Sequence, residues 1–335
     1  MKKELTSLRD PLNGELLVEK DNALFSHQGI KYPIVRGIPR FVNVDNYTRD
    51  FGEQWNRFPK IQLDSYNGLD LSESRLKRCL GLQPETLKGK KVLEAGSGAG
   101  RFTEILLKYG AIVDSFDFSN AVEANMENNG NHQNLVLVQA DIESMPFQKS
   151  SYDYVICLGV LQHTPNTENS IRCLWEMVRP GGTLVLDHYP WKWRIILPPP
   201  IGEALALYRL LILRLPQRVR FKFVKALVDF WFPWHWRFRD SPFILRILRR
   251  VSPVLFYYPY IKLRDEKMFY EWALLDTHDG TTDFYKHRRT LSQIKKTLEE
   301  IGSISIKINE GGNGIEASCI RPDGNCLLAN IKGKG

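Results

Sequence analysis

The segment KKVLEAGSGAGRFTEILLKYG (90–110) constrains the fold of this chain more than any other part of the sequence. Its pattern predicts a short buried strand, a tight turn and then a helix that ends at Gly110. Gly96, Gly98 and Gly100 allow the turn and a close approach of the backbone to a ligand. Such a turn brings backbone N–H groups and a helix N-terminus near a bound nucleoside. Three spaced glycines alone are also compatible with a nicotinamide-dinucleotide site or an ordinary strand-to-helix turn.

Carboxylates follow two further predicted strands. Asp117 comes directly after AIVDSF, and Asp141 after NLVLVQA. A carboxylate about 20 residues beyond the glycines is placed to accept hydrogen bonds from both hydroxyls of a ribose. Asp141 is placed to accept from an adenine amine. We expect Phe118 and Ile142 to lie against the adenine ring.

The remaining strands continue the alternation of strands and helices. YDYVICLG (152–159) predicts a fourth strand, and the PGG turn at 180–182 leads into a fifth, TLVLDHY (183–189). LSQIKKTLEEIG (291–302) predicts an amphipathic helix, and the residues at 303–322 predict a closing β-hairpin around GGNG. We therefore predict an α/β fold of βαβ units with a C-terminal antiparallel hairpin.

EAGSGAG (94–100) resembles the first motif of the class I methyltransferase family, within its large group of small-molecule enzymes. Asp117, Asp141 and the PGG turn fall where that family has its later motifs. The resemblance covers roughly 46–322 with an insertion set aside. It implies a Rossmann-like, seven-stranded, mostly parallel sheet and S-adenosyl-L-methionine as cofactor, and it disfavours the dinucleotide alternative.

The resemblance also implies which residues contact the cofactor. Gly96 and Gly98 would line the methionine portion, and Leu158 would offer its backbone carbonyl to the methionine amino group. The implied cofactor-binding set is Glu94, Gly96, Ser97, Gly98, Gly100, Asp117, Phe118, Asp141, Ile142 and Leu158.

Composition divides the chain into five regions. We predict a ribbon-like segment at 1–45, a helical lead-in or cap at 46–88, the cofactor-binding core at 89–189, a helical insertion at 190–270 and the completion of the core at 271–335. The insertion follows a strand, so it should lie at the carboxyl edge of the sheet, where open α/β sheets bind ligands.

The first 45 residues are similar to a small zinc ribbon that precedes some of these methyltransferases. Such ribbons bind zinc through paired cysteines. Here the ligand positions correspond to Asp10, Asn13, Ser26 and Gly29 or their neighbours, and no cysteine occurs before Cys79. We therefore predict a degenerate ribbon and no metal. Trp55 or Tyr66 in the lead-in is expected near the methionine tail.

The insertion carries the positive charge of the chain. Residues 190–264 hold 15 Lys and Arg against 3 Asp and Glu, a charge of +12 in a chain of net charge +8. Trp191, Trp193, Trp231, Trp234 and Trp236 occur among these arginines. Three interpretations remain open: a helical lid with its own aromatic core, a surface for a membrane or lipid-linked acceptor, and a nucleic-acid interface. The lid is favoured, and nucleic acid comes last because no RNA-binding module accompanies the segment.

Methyl transfer to oxygen, nitrogen or carbon would be helped by a general base. His163 follows the fourth strand and His188 the fifth, and these are the predicted catalytic residues. Further candidates are Asp187 and Tyr189 after the fifth strand, and His278, Asp279, Asp283, Tyr285 and His287 in DTHDGTTDFYKHR (276–288). We expect His278 and His287 to belong to the surface or the lid.

The predicted function is methyl transfer to a small or lipid-linked metabolite. A nucleic-acid methyltransferase and a non-catalytic cofactor-binding or membrane-associated protein are the alternatives. The first 20 residues contain no apolar h-region, no stretch has about 18 uninterrupted apolar residues, and five cysteines are scattered. These features predict a cytoplasmic protein, with peripheral contact at the inner membrane surface through 190–270 as an alternative.

Overall fold

The computed structural model describes residues 5–43, 48–192 and 202–323. Trp193 and Cys326 lie outside these ranges. The N-terminal segment forms a small antiparallel sheet in the order β1-β2-β3-β4. Its strands are β1 (Val18–Lys20), β2 (Ala23–Phe25), β3 (Lys31–Val35) and β4 (Ile38–Pro39).

A second sheet of seven strands forms the centre of the fold. Its strands are β5 (Lys91–Ala95), β6 (Ile112–Asp117), β7 (Leu135–Gln139), β8 (Tyr152–Cys157), β9 (Val178–His188), β10 (Ile304–Gly311) and β11 (Gly314–Ile320). Their order is β10-β11-β9-β8-β5-β6-β7; β11 runs antiparallel to both of its neighbours, β9 and β10, and the other pairs are parallel. The predicted Rossmann-like sheet with a C-terminal hairpin is confirmed.

Helices surround this sheet. The lead-in holds α1 (Arg49–Arg57), α2 (Asp64–Asn67) and α3 (Leu71–Leu80), and the core holds α4 (Arg101–Lys108), α5 (Val122–Asn129) and α6 (Thr167–Met177). The insertion holds α7 (Leu205–Ile212), α8 (Gln217–Arg237), α9 (Pro242–Val251) and α10 (Glu266–Thr282), and α11 (Leu291–Glu300) follows. A short 3-10 helix spans Leu161–His163.

The sheet order places a ligand-binding crevice between β5 and β8. From β5 the chain proceeds outward to β6 and β7, then crosses back to β8 and β9 on the other side. Open α/β sheets bind ligands at the carboxyl ends of strands where the order reverses in this way. Clusters of buried aliphatic and aromatic residues on both faces of the sheet hold its strands in place.

The helices of the insertion share a separate apolar cluster, which Ile61 of the lead-in also joins. Phe232, Trp236, Phe256 and Phe269 belong to it, with ring centroids 5.6 to 6.2 Å apart in the pairs that touch. Because α10 begins inside the insertion and ends at Thr282, it crosses the boundary predicted at residue 270. The side chain of Asp265 accepts a hydrogen bond from the backbone N–H of Met268 and so fixes the start of this helix.

Candidate functional site

A cavity of about 700 Å³ lies at the carboxyl ends of β5 and β8. The turn after β5 and the loops after β6, β7 and β8 form one side of it. Residues of the lead-in, of the insertion and of α10 form the other side. The sheet edge and the insertion therefore enclose one shared space.

The glycine turn after β5 is held tightly on two sides. Gly96 has φ of +76°, and a Cβ atom there would lie 2.1 Å from Val160 Cγ2. Gly98 has φ of +53°, and a Cβ atom there would lie 3.4 Å from the ring of Trp55. Only glycine combines this backbone conformation with so close an approach. The backbone of the turn is thus presented directly to the cavity.

Asp117 at the end of β6 is fixed by three donors. Its Oδ2 accepts a hydrogen bond from Gly98 N at 2.8 Å, and its Oδ1 accepts from the backbone N–H and hydroxyl of Ser119 at 2.8 and 2.6 Å. Burial raises the pKa of this carboxyl. A carboxylate has about four lone-pair sites, so Asp117 retains capacity for a ligand hydroxyl.

The loop after β7 adds a second carboxylate and an apolar surface. Asp141 lines the cavity, its Oδ1 accepts a hydrogen bond from Glu143 N at 2.9 Å, and burial raises its pKa. Ile142 and Phe118 also line the cavity, and Ile142 is buried. A flat aromatic ring fits such a combination of apolar walls and a carboxylate acceptor.

Most of the predicted cofactor residues lie around this cavity. Those that line it are Gly96, Ser97, Gly98, Asp117, Phe118, Asp141, Ile142 and Leu158. Among the described residues, Ser97 Oγ is buried and finds no hydrogen-bond partner. A buried hydroxyl without a partner is costly, so it marks a place where a polar ligand group fits.

Glu94 and Gly100 lie behind the turn rather than on the cavity. The Glu94 side chain is buried, accepts hydrogen bonds from the hydroxyls of Thr103 and Ser115, and has its pKa raised to about 7 by burial. A Cβ atom on Gly100 would meet Asn125 Oδ1 at 2.2 Å. Neither residue lines the cavity, and both shape the turn from behind.

His163 lies on the cavity, as predicted. Its ring packs edge-on against Phe51 and Tyr189, with centroids 5.1 and 5.6 Å away. Its Nδ1 lies 3.2 Å from the Tyr285 carbonyl oxygen and 3.5 Å from Asp283 Oδ2. Because both neighbours accept hydrogen bonds, a neutral His163 carries its proton on Nδ1 and leaves Nε2 basic.

The structure does not bring the other predicted catalytic residue, His188, to the cavity. His188 is fully buried, with Nε2 3.3 Å from Thr167 Oγ1 and Nδ1 2.9 Å from the carbonyl oxygen of Tyr189. Burial lowers its pKa to about 4. Side chains alternate between the two faces of a strand, so Tyr189 rather than His188 faces the cavity.

An acidic face of α10 completes the site. The sequence offered Asp279 among the candidate bases of 276–288 and gave Asp276 no role. Asp276 and Asp279 both line the cavity and lie three residues apart on one side of the helix. Burial and then the charge of Asp279 raise the pKa of Asp276 to about 7. Asp276 accepts hydrogen bonds from Gln62 Nε2 and Trp272 Nε1 at 3.1 and 3.0 Å.

Gln54 holds Asp279 in position. Its Nε2 donates to Asp279 Oδ1 at 3.2 Å, while its Oε1 lies 2.7 Å from His278 Nδ1. Burial raises the pKa of Asp279 and lowers that of His278 to about 3. The expectation that His278 belongs to the surface or lid is wrong as to exposure, because this side chain is completely buried behind the acidic face.

Of the two lead-in residues expected near the methionine tail, one lies at the cavity and the other does not. Trp55 lines the cavity, whereas Tyr66 is 43% exposed and does not.

In the ribbon-like segment, Asp10 accepts hydrogen bonds from Leu12 N and the Tyr32 hydroxyl at 2.9 and 3.0 Å. Across residues 5–43, 48–192 and 202–323, no group of three or more His, Cys, Asp or Glu side chains is arranged to hold a metal.

Comparison with known proteins links part of the chain to one family. Residues 93–186 match the family model described as a methyltransferase domain. The chain is 35% identical over 104 residues to a ubiquinone biosynthesis O-methyltransferase of Coxiella burnetii, covering 30% of this chain and 44% of the relative. It is 36% identical over 102 residues to a protein of the same name from Pseudomonas fluorescens, covering 29% and 43%.

The chain thus spans less than half the length of these curated relatives. Among solved structures, it is similar to magnesium protoporphyrin IX methyltransferase from Synechocystis PCC 6803 with bound S-adenosylmethionine. The TM-score is 0.39 at 14% identity, over 81% of this chain and 84% of the other.

The segment 93–186 is thus similar to a methyltransferase domain, in agreement with the predicted class of enzyme and with S-adenosylmethionine as the predicted cofactor. The predictions of this class and of its cofactor are confirmed at the level of the domain. The family match begins after residue 45, so the resemblance of 1–45 to a degenerate zinc ribbon stays a prediction. The search of the described helices for a membrane span found none with enough length and apolar character.

Proposed function

We propose that this chain transfers a methyl group from S-adenosylmethionine to a small-molecule acceptor. The main support for this proposal is that the glycine turn, Asp117 and Asp141 line the same cavity as the acidic face of α10. This arrangement supports a cofactor at the sheet edge with its methyl group directed toward His163 and Asp279.

The cofactor supplies an activated methyl group on a sulfonium, so the protein mainly positions two reactants and excludes water. The backbone of Gly96 and Gly98 and the hydroxyl of Ser97 would hold the amino-acid portion. Asp117 would accept hydrogen bonds from the ribose hydroxyls. Asp141 would accept one from the adenine amine. The backbone carbonyl of Leu158 would accept from the cofactor's amino group.

Ile142 and Phe118 would enclose the adenine. Trp55, whose ring lies beside Gly98, would cover the turn from the lead-in side. These apolar contacts exclude water from the ring and leave its polar edge to Asp141.

An acceptor hydroxyl or amine must lose its proton during the transfer. His163 Nε2 is the basic nitrogen of a ring whose Nδ1 is anchored by Tyr285. Asp279 carries a second carboxylate oxygen beyond the one that Gln54 occupies. We infer that these two groups accept the proton, which would contribute about a hundredfold or more to the rate.

The names of the curated relatives favour an oxygen acceptor. We therefore place O-methylation of a small or lipid-linked metabolite first, ahead of transfer to nitrogen or carbon. Peripheral attachment at the inner membrane surface and a zinc-free ribbon at 1–45 belong to this proposal. Nucleic-acid methylation and cofactor binding without catalysis are alternative outcomes of the test below.

The test combines calorimetry with S-adenosylhomocysteine and a transfer assay with labelled S-adenosylmethionine. Asp117→Ala should abolish S-adenosylhomocysteine binding, while the matched control Asp240→Ala, at an exposed site, should leave it unchanged. Labelled methyl groups should appear in a metabolite extract and not in RNA. Absence of binding by the wild-type chain would contradict the proposal, and binding without any transfer would favour the non-catalytic alternative.

A further inference from the structure

The helices of the insertion carry an apolar face that does not point into the protein. On α8, four large apolar side chains are exposed to solvent: Val219, Phe223, Phe230 and Trp234. Their spacing of four, seven and four residues keeps them within about 60° of one another around a helix of 3.6 residues per turn. Phe230 is 61% exposed. These residues therefore form a continuous apolar stripe along the helix.

The opposite side of α8 already supplies the contacts that stabilise the fold. Its buried side chains include Phe221, Val224, Val228 and Phe232. The same helical spacing puts these residues on the side of the helix away from the exposed stripe. An ordinary surface helix has one apolar face and one polar face. Because α8 has two apolar faces, the outer one needs an explanation other than the packing of this chain.

The neighbouring helix α9 repeats this arrangement. Phe243, Ile247 and Val251 are exposed at intervals of four residues, and Phe243 is 70% exposed. Leu245 and Leu248 face the interior from the other side of the helix.

Helix α7 also has two apolar sides. Leu207, Leu210 and Leu211 are exposed, whereas Leu205 lines the cavity and Ile212 is buried. Hydrogen bonds join α7 to the end of α9, from Ala204 N to the Arg249 carbonyl and from the Tyr208 hydroxyl to the Val251 carbonyl. We call the exposed apolar residues of α7, α8 and α9 the outer apolar face.

The helices that carry the outer apolar face also expose many basic side chains. Within 205–251 the exposed basic residues include Arg218, Lys222, Lys225, Arg246, Arg249 and Arg250. The exposed acidic residues there are Asp229 and Asp240, and Asp229 is paired with Lys225. Large apolar side chains flanked by arginine and lysine suit the interface of a membrane that contains anionic lipid.

We propose that the outer apolar face docks this protein on an anionic lipid surface. This inference specifies the surface that would provide the peripheral attachment included in the proposed function. It rests on the proposed function only in that the lipid surface would supply the methyl acceptor. A second copy of the chain is a poorer occupant, because two strongly basic faces would repel each other when they meet. Nucleic acid is also a poorer occupant. Phosphates and stacking bases would use the arginines and aromatic rings but would leave the exposed leucine, isoleucine and valine side chains of α7 and α9 without a partner.

Vesicle co-sedimentation of the full chain tests this proposal. The vesicles are phosphatidylcholine alone, or phosphatidylcholine with about one-third phosphatidylglycerol. Wild-type protein should bind the anionic vesicles and bind the neutral ones at least about tenfold more weakly. The double variant Phe230→Ser/Trp234→Ser should lose at least about tenfold in binding to anionic vesicles, because two exposed apolar anchors are removed.

Two further variants separate apolar from electrostatic contributions. Leu12→Ser/Leu16→Ser removes two exposed leucines from the N-terminal segment and should leave vesicle binding unchanged. The double variant Arg218→Glu/Lys222→Glu should weaken binding to the anionic vesicles by at least about tenfold, since each of its two substitutions replaces a cation near the surface by an anion. Calorimetry with S-adenosylhomocysteine on the same proteins should give wild-type affinity, so docking and cofactor binding can fail independently.

Several results would overturn the proposal. These are no binding of wild-type protein to anionic vesicles, equal binding by the Phe230→Ser/Trp234→Ser variant, or binding to RNA in place of vesicles. A wild-type dimer that this double variant converts to a monomer would assign the face to self-association instead.

Discussion

Residues 89–189 and the helices α7 and α10 line the same cavity, but they are held in place in different ways. In the first region each strand delivers a side chain to the cavity through a short loop, and the turn at 96–100 is fixed by hydrogen bonds within a few strands. In the second region helices bury one face against one another and against the lead-in. One part of the site is therefore built from local turns, and the other is a wall built by packing between distant segments.

This difference affects which changes each region tolerates. The glycine turn has no spare volume, since Val160 occupies the space beside Gly96. We expect the insertion to tolerate polar substitutions at its exposed positions but not in its apolar core. The carboxylates on this side of the site come from α10, which carries Asp276 and Asp279.

The largest effect is expected from filling the turn. Gly96→Ala places a methyl group 2.1 Å from Val160 Cγ2 at a φ of +76°. The turn must then shift, and binding of S-adenosylhomocysteine should fall by about a thousandfold, equivalent to roughly 4 kcal/mol. Calorimetry measures this loss.

The matched control is Gly89→Ala. Gly89 has φ of +70° but no atom within 4 Å of an added Cβ, so the variant carries the same kind of backbone strain without the clash. It should bind the analogue like wild type, and the double variant Gly96→Ala/Val160→Ala should recover part of the affinity. Equal losses in Gly96→Ala and Gly89→Ala would show that the close packing of the turn is unimportant.

The two sides of α8 provide the next test. Phe232 is 3% exposed and lies in the aromatic core of the insertion, so Phe232→Ala should lower the free energy of unfolding by about 3 kcal/mol. Phe230→Ala, on the exposed stripe, should change it by less than about 0.5 kcal/mol. Urea denaturation distinguishes these outcomes, and similar losses for both variants would contradict the assignment of an inner and an outer face.

Removal of the proposed proton acceptors tests whether the acidic wall takes part in chemistry. His163→Asn and Asp279→Asn should each lower kcat by about a hundredfold while S-adenosylhomocysteine affinity stays close to that of wild type. His132→Asn, at an exposed position, is the control. Parallel losses of affinity and kcat would assign these side chains to cofactor binding instead.

The smallest effect concerns pH. Asp276 has a pKa of about 7 in the folded chain, against about 3.9 for an unfolded aspartate. The folded state binds the Asp276 proton more tightly than the unfolded state does. The contribution of Asp276 to the free energy of unfolding is therefore fully present below about pH 4 and is lost as the pH rises through about 7.

In the variant Asp276→Asn, the side chain at this position has no acidic proton to lose. Its thermal midpoint, measured relative to wild type, should therefore rise by a few degrees between about pH 4 and about pH 8. Asp240→Asn should show no such trend. A difference from wild type that is constant with pH would contradict the raised pKa.

The sequence predicts the sheet and the cofactor edge well because the signals are local. Strand-length apolar runs, spaced glycines and carboxylates at strand ends are enough to place Gly96, Asp117 and Asp141 at one edge of a sheet. The structure places His188 away from the cavity. A strand-end position alone does not say which face a side chain occupies, and a displacement of one residue reverses the face.

The sequence offers Asp279 as a candidate base but does not predict the helix that places it beside Asp276. Asp276 and Asp279 lie in DTHDGTTD, whose glycine and threonines weaken the helix pattern. The cap at Asp265 and the spacing of Trp272, Asp276 and Asp279 are the available signals. Packing of α10 against α8 and the lead-in, which keeps this segment helical, involves residues far apart in sequence and leaves no local pattern to read.

The most direct measurement is a crystal structure of the chain with bound S-adenosylhomocysteine. The ribose should lie against Asp117, the adenine between Ile142 and Phe118, and the sulfur should face His163 and Asp279. A ligand bound elsewhere, or one whose sulfur points away from α10, would contradict the claim that the sheet edge and the insertion form a single reaction chamber.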